Sequence, residues 1–125
     1  MIVADTSVLI DHLRGHDPAT ELIDAALARG ERVLASEVTR IELLAGMRSH
    51  ERRQTRALIR SLEWATVDEP VAQAAGDFAR KFRHSHPGIG VADYAIAATV
   101  KLRKAGLWTL NVRHFPMLPA LEPAY

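Results

Sequence analysis

A chain of 125 residues with 48% hydrophobic and 25% charged side chains is the size of one domain, can bury its own core, and is too apolar to be disordered. The absence of cysteine excludes disulfides and thiolate metal sites and suits a reducing compartment. A formal net charge of +1 gives no global basic field of the kind that attracts nucleic acid. In chain order, Ile2-Val3-Ala4 reads as a buried strand that runs into Asp5-Thr6-Ser7 and a short helix from Val8 to Arg14, ended by Gly15. Asp17-Pro18 opens a second helix, with Asp17 as its cap, that reaches Arg29 and stops at Gly30. Arg32–Ala35 is a second strand. Ser36 caps a third helix through Met47, and Glu51–Leu62 is an arginine-rich fourth. Trp64–Val67 is a third strand. Pro70 starts a fifth helix with Val71, Ala75, Phe78 and Phe82 on one face. A His84–Gly90 loop leads to a sixth helix, Val91 to Lys104, terminated by Gly106. Leu107–Leu110 is a fourth strand, and the proline-rich tail is expected to hold one short strand around Leu121.

Short apolar strands alternating with helices predict an α/β fold. We expect a three-layer α/β/α domain over residues 1–125, with a short, mainly parallel sheet of four to five strands and about six to seven helices. The longest apolar runs are short and broken by charge, as Asp93 breaks Val91–Val100, so no signal peptide or membrane span is expected, and a cytoplasmic location is.

Three carboxylates break the pattern around them. Asp5 stands at the carboxyl end of the first strand, where open α/β sheets bind ligands, although it would also serve as a helix cap. Glu42 follows Val38 and Ile41 and precedes Ala45, so the helical period puts it on an apolar face. A carboxylate goes there when it is paired, for example with an arginine, or when it binds a metal. Asp93 heads a stripe of Ile96, Ala97 and Val100; a favourable charge in the first helical turn explains its place along the helix but not its inward face. Converging carboxylates repel unless a cation lies between them. Oxygen ligands without His or Cys suit Mg²⁺ or Mn²⁺, ions that activate water and neutralise charge on a phosphate.

Four blocks resemble the PIN-domain family, and more narrowly its VapC-type toxins. They are Ile2 to Ile10 around Asp-Thr-Ser, the serine-opened helix Ser36–Gly46 with Glu42-Leu43-Leu44-Ala45-Gly46, Gly90–Thr99 around Asp93, and Thr109-Leu110-Asn111-Val112-Arg113-His114-Phe115. They run in order through the whole chain. The resemblance implies a metal-dependent endoribonuclease whose Asp5 and Asp93 bind the metal, with Glu42 as a third acid and Thr6 or Ser7 steadying the ion or its waters. It also implies an RNA substrate, a VapB-type antitoxin and a homodimer. Many members carry a fourth acid where this chain has Asn111 or His114. Asn111 can still serve a hydrated ion through its carbonyl, and His114 can touch a phosphate. The missing charge points to a single resident ion, and it leaves open a degenerate module that binds RNA or a partner protein without cutting.

Lesser signals stay open between readings. Arg48, Arg52 and Arg56, with Arg60 beyond them, form a basic stripe that would track an RNA backbone, contact the antitoxin, or simply be a solvated face. Arg113 is a further candidate for RNA contact. His84-Ser85-His86 reads as an exposed loop in preference to a metal pair. Trp64 and Trp108 are expected in the core or a dimer interface, and Phe78/Phe82 in core packing. A receiver-like signalling domain fits the length, but Glu42 and Asp93 fall within helices and no second acid accompanies Asp5.

Overall fold

The computed structural model describes all 125 residues. Its strands are β1 (Ile2–Ala4), β2 (Val33–Ser36), β3 (Glu63–Ala65) and β4 (Gly106–Trp108). Its helices are α1 (Thr6–Leu13), α2 (Asp17–Ala28), α3 (Glu37–Gly46), α4 (Arg52–Ser61), α5 (Glu69–Phe82) and α6 (Val91–Arg103), with 3₁₀ turns at Ser49–Glu51 and Val112–His114. The four strands form one parallel sheet in the order β3-β2-β1-β4, so the last strand lies beside the first.

Successive residues of a strand face opposite sides of the sheet, and the core divides accordingly. Ala4, Val33, Ala35 and Trp108 join one buried cluster with Val8 and Leu9 of α1, Ile23 of α2, Leu43 of α3 and Leu58 of α4. Val3, Leu34, Ala65 and Leu107 join the other with Ile96, Ala97 and Val100 of α6 and with Phe115. This is the expected α/β/α sandwich. Helix α6 is buried nearly all round: every residue from Tyr94 to Val100 is buried, because α5 covers the side turned away from the sheet. The inward face of α5 is only partly buried; Phe78 packs at the edge of the second cluster, and Phe82 sits edge-on to His86. Trp108 is core, whereas Trp64 is half-buried on the edge strand, its Nε1 donating to the Ile59 carbonyl at 2.9 Å and its ring 4.2 Å beneath the Arg40 guanidinium.

Several local expectations are corrected. Asp17 does not cap α2; it is the first helical residue, and His16 holds the cap position without a side-chain bond. Gly106 does not terminate α6. The left-handed residue there is Lys104, at φ 52°, and Gly106 already pairs with Ile2 as the first residue of β4. Glycine suits that place because a Cβ would come within 2.9 Å of Ile2 Cδ1. No strand forms around Leu121. Pro116, Pro119 and Pro123 lack donors and Ala120 has φ 59°, so the tail cannot run along a ladder. It is fastened at its end, where the Ala124 N–H donates to the Thr109 carbonyl at 3.0 Å and the Tyr125 hydroxyl to Asp11 Oδ2 at 2.6 Å.

A side chain in the left-handed region costs about 1 kcal/mol relative to glycine. Lys104→Gly is therefore expected to stabilise the protein by roughly that amount, raising the melting temperature by about 4 °C in a calorimetric scan.

Candidate functional site

The site lies at the carboxyl edge of the sheet, where β1 ends. Asp5 is the N-cap of α1 and is only 3% exposed. A buried carboxylate needs donors, and Asp5 has three. Its Oδ1 accepts the Thr6 N–H at 2.8 Å, and its Oδ2 accepts the Ser7 hydroxyl at 3.0 Å and the Thr109 hydroxyl at 2.7 Å. Each hydroxyl is itself oriented by a backbone donor. Ser7 Oγ accepts Leu110 N–H at 3.3 Å, and Thr109 Oγ1 accepts Asn111 N–H at 3.0 Å. A hydroxyl has one proton to give, so both send theirs to Asp5. Three bonds leave about one of the roughly four acceptor positions of a carboxylate.

Asp93 enters from the first turn of α6. Its Oδ2 accepts the Gly90 N–H at 3.2 Å and lies 3.2 Å from His114 Nδ1, while its Oδ1 has no protein donor. Burial pushes the Asp93 carboxyl above the usual aspartate range. The Gly90 bond and His114 pull it back, and the nearby charge of Asp5 pushes it further up. The two acids are thus close enough to repel.

Glu42 arrives by a route other than the expected one. Of the supposed apolar face of α3, Ile41 is 66% exposed and Ala45 is exposed as well, and only Val38 packs against the core. Helix α3 packs through Thr39 and Leu43 instead. No arginine pairs with Glu42; its Oε1 accepts the Thr6 hydroxyl at 2.7 Å, and Thr39 Oγ1 lies 3.1 Å from the same hydroxyl. No three His, Asp or Glu side chains converge closely enough to form a closed cage for an ion. The predicted trio is therefore an Asp5–Asp93 pair with Glu42 one hydroxyl away.

The rest divides by location. Asn111 uses its backbone here, and its side chain is unbonded at the exposed rim. His114 contacts Asp93 directly. Arg52 and Arg56, with Ser49, His50, Arg53 and Arg60, line a separate shallow concavity, and Arg48 lines a neighbouring one with Arg14 and Gln54. None of these arginines is ion-paired. Arg113 lines a groove beside His114. Thr109, whose hydroxyl bonds Asp5, is the member of this site that sequence reasoning missed. It directly follows Trp108, which pairs with Ala4, just as Asp5 directly follows Ala4; the missing information was that the first and last strands are neighbours.

The donor set is oxygen-only, with one carboxylate pre-oriented by hydroxyls and a second raised by burial and like charge. It fits a hard divalent cation.

A model of the PIN domain matches residues 2–116, and the chain belongs to the PIN-domain family. It is 45% identical over 125 residues to ribonuclease VapC19 of Mycobacterium tuberculosis, covering 100% of both chains. It is 42% identical to ribonuclease VapC10 of the same organism, covering 100% of this chain and 93% of that one. Among solved structures it is similar in fold to a toxin–antitoxin complex from Klebsiella pneumoniae, at a TM-score of 0.81 and 21% identity, covering 100% of this chain and 98% of that chain. No helix is long and apolar enough to cross a membrane.

Because the fold raises the Asp93 pKa, it favours the protonated acid, and that contribution to stability is lost as pH rises from the ordinary aspartate range through the raised value. In EDTA, the unfolding free energy of the wild type should therefore fall relative to Asp93→Asn as pH rises through that window and stay lower above it. Mg²⁺ should recover the difference for the wild type alone. Denaturant titrations at several pH values measure this, and a pH-independent difference would contradict it.

Proposed function

We propose that this chain is a divalent-metal-dependent endoribonuclease that hydrolyses RNA phosphodiester bonds as the toxin of a toxin–antitoxin pair. The observation that carries the reading is the Asp5–Asp93 pair. Keeping two repelling carboxylates together at a sheet mouth is a cost without purpose unless a cation joins them. The naming of VapC19 and VapC10 as ribonucleases supports RNA as the substrate. The likeness to the Klebsiella toxin–antitoxin complex supports pairing with an antitoxin, and the VapC naming of the relatives supports one of VapB type.

Asp5 and Asp93 are the residues to hold the ion, Mg²⁺ or Mn²⁺. When bound, it supplies an activated water and neutralises charge growing on the phosphate. Ser7 and Thr109 lock the orientation of Asp5, so little reorganisation is needed during reaction. Thr6 holds Glu42 at the edge of the centre, where its free oxygen can orient a water or take its proton. His114 sets the direction of Asp93. With Asn111 and His114 in place of a fourth acid, one ion balances the pair, and a single resident ion is expected.

The antitoxin has a place beside this centre. A cleft of about 60 Å³ opens next to Glu42 and is lined by Ile10, Leu13, Leu43 and Met47. The buried hydroxyl of Thr55, at its wall, has no partner. An antitoxin side chain seated there would bring a basic group toward the acids. The outward face of α3, with Ile41 and Leu44, is the surface for a homodimer. The arginines of α4 offer a second cationic face to an RNA backbone.

The test is incubation of the purified chain, free of antitoxin, with a pool of structured RNAs in Mg²⁺, Mn²⁺ or EDTA. Cleavage should require the metal. Asp5→Asn should lower kcat/KM by more than the roughly 10–100-fold typical of losing an outer-shell group. Folded protein that cuts nothing in any arm, even with a widened pool, would overturn the reading in favour of a binding-only module. Separately, Ile41→Asp should leave the fold intact and give a monomer by light scattering; an unchanged oligomer would move the dimer surface elsewhere.

A further inference from the structure

A groove of about 310 Å³ opens beside the acid pair, lined by His86, Gly88, Ile89, Arg113 and His114. It adjoins the reaction centre through His114, which lines the groove and also lies 3.2 Å from Asp93 Oδ2. Its polar side chains are two imidazoles and a guanidinium, with no acid among them. Arg113 forms no ion pair.

The His86 ring is held in place. Its Nδ1 is 2.8 Å from Ser85 Oγ, and its edge meets Phe82 at a centroid distance of 5.8 Å and an interplanar angle of 74°. The backbone of the turn is fixed as well: His86 N–H donates to the Phe82 carbonyl at 2.8 Å, and Ile89 N–H to the His86 carbonyl at 3.3 Å. These contacts orient the ring at the groove wall, where it offers a flat surface to a ligand.

The volume is at the small end of ligand sites. It is large enough for one nucleotide. A phosphodiester approaching Asp5 and Asp93 carries negative charge toward two acids. An unpaired guanidinium in the adjoining groove offers the incoming phosphate a countercharge and pairs with it in a bidentate way.

We propose that this groove is the subsite for the nucleotide adjoining the scissile bond, with Arg113 pairing with its phosphate and the His86 ring packing against its base. The inference rests on the ribonuclease reading and makes both residues substrate-binding, Arg113 holding the backbone and His86 helping to choose where the chain cuts. The His84-Ser85-His86 run then has a use that is not metal binding.

Two assays on the full chain test it. In EDTA, the affinity for a fluorescein-labelled, mixed-sequence RNA hexamer is read by anisotropy. Arg113→Ala and His86→Ala should each weaken binding by about tenfold, the scale of one stacked base or one phosphate pair. Arg29→Ala, an equal loss of charge at the far end of α2, should change it less than twofold. In Mg²⁺, both variants should raise KM with little change in kcat, and His86→Ala alone should alter the base preference at one position beside the cut, because a phosphate contact reads no base. Unchanged hexamer affinity and unchanged cut-site preference in both variants, with circular dichroism confirming their folds, would overturn the proposal. If the wild type cut no RNA but the variants still lost hexamer binding, the ribonuclease reading would fall and the nucleotide subsite would stand.

Discussion

The burial of the Asp5 carboxylate is the constraint on which the arrangement turns. Taking such a group from water costs several kcal/mol unless hydrogen bonds replace what is lost. One donor is local, the Thr6 N–H at the start of α1. The strongest long-range donor, Thr109, is 104 residues away in sequence. It reaches Asp5 because β4 pairs in parallel with β1 and sets Trp108 opposite Ala4, so the residue after each strand lies beside the other. The backbone closes the same contact, with Asp5 N–H donating to the Trp108 carbonyl at 2.8 Å. Strand order and site are thus one fact. A sheet with β4 elsewhere would leave Asp5 short of a partner.

The same topology delivers Asp93. Helix α6 precedes β4 and runs back across the sheet between parallel strands, so its N-terminus lies at the carboxyl edge where β1 ends. An acid in the first turn of that helix must arrive near Asp5. Its position follows from chain direction, and its inward aim from the burial of the whole helix between the sheet and α5. The partial positive charge of the helix terminus and the Gly90 N–H favour the ionised form. Desolvation and the facing acid oppose it and prevail. In the proposed reading, that surplus is the electrostatic demand a divalent ion would meet.

The period-2 alternation of Val3 against Ala4 and Leu107 against Trp108 was readable in the sequence, and with it the three layers. So were Asp5 and Asp93, since both sit at strand-to-helix or loop-to-helix junctions that local signals locate. Glu42 shows the limit. Val38, Ile41 and Ala45 make an apolar stripe, and a stripe normally marks the buried side. In α3 the buried side is Thr39 and Leu43, because Thr39 finds the hydroxyl of Thr6. Periodicity weighs apolar side chains and does not see a polar one satisfied by a partner 33 residues away. Thr109 was hidden for a related reason, since no single strand states which strand lies next to it. At the end of α6, glycine was expected to carry the left-handed turn; Lys104 carries it, and Gly106 is small for Ile2.

Charge distribution along the chain becomes charge distribution in space. The acids of the centre come from β1, α3 and the start of α6, while the stretch from Tyr94 to Ala120 holds Lys101, Arg103, Lys104 and Arg113 and no acid. Of these, Arg113 is carried by the turn after β4 to the rim of the centre. A net charge of +1 conceals this, because averaging over the chain cancels a negative pocket against a positive rim. His114 stands at the boundary, with Nδ1 toward Asp93 and the groove on its other side. An aspartate at that position would put a third carboxylate against the pair and draw the negative region out to the rim. The imidazole confines it to the depth of the Asp5–Asp93 pair and leaves the approach to Arg113.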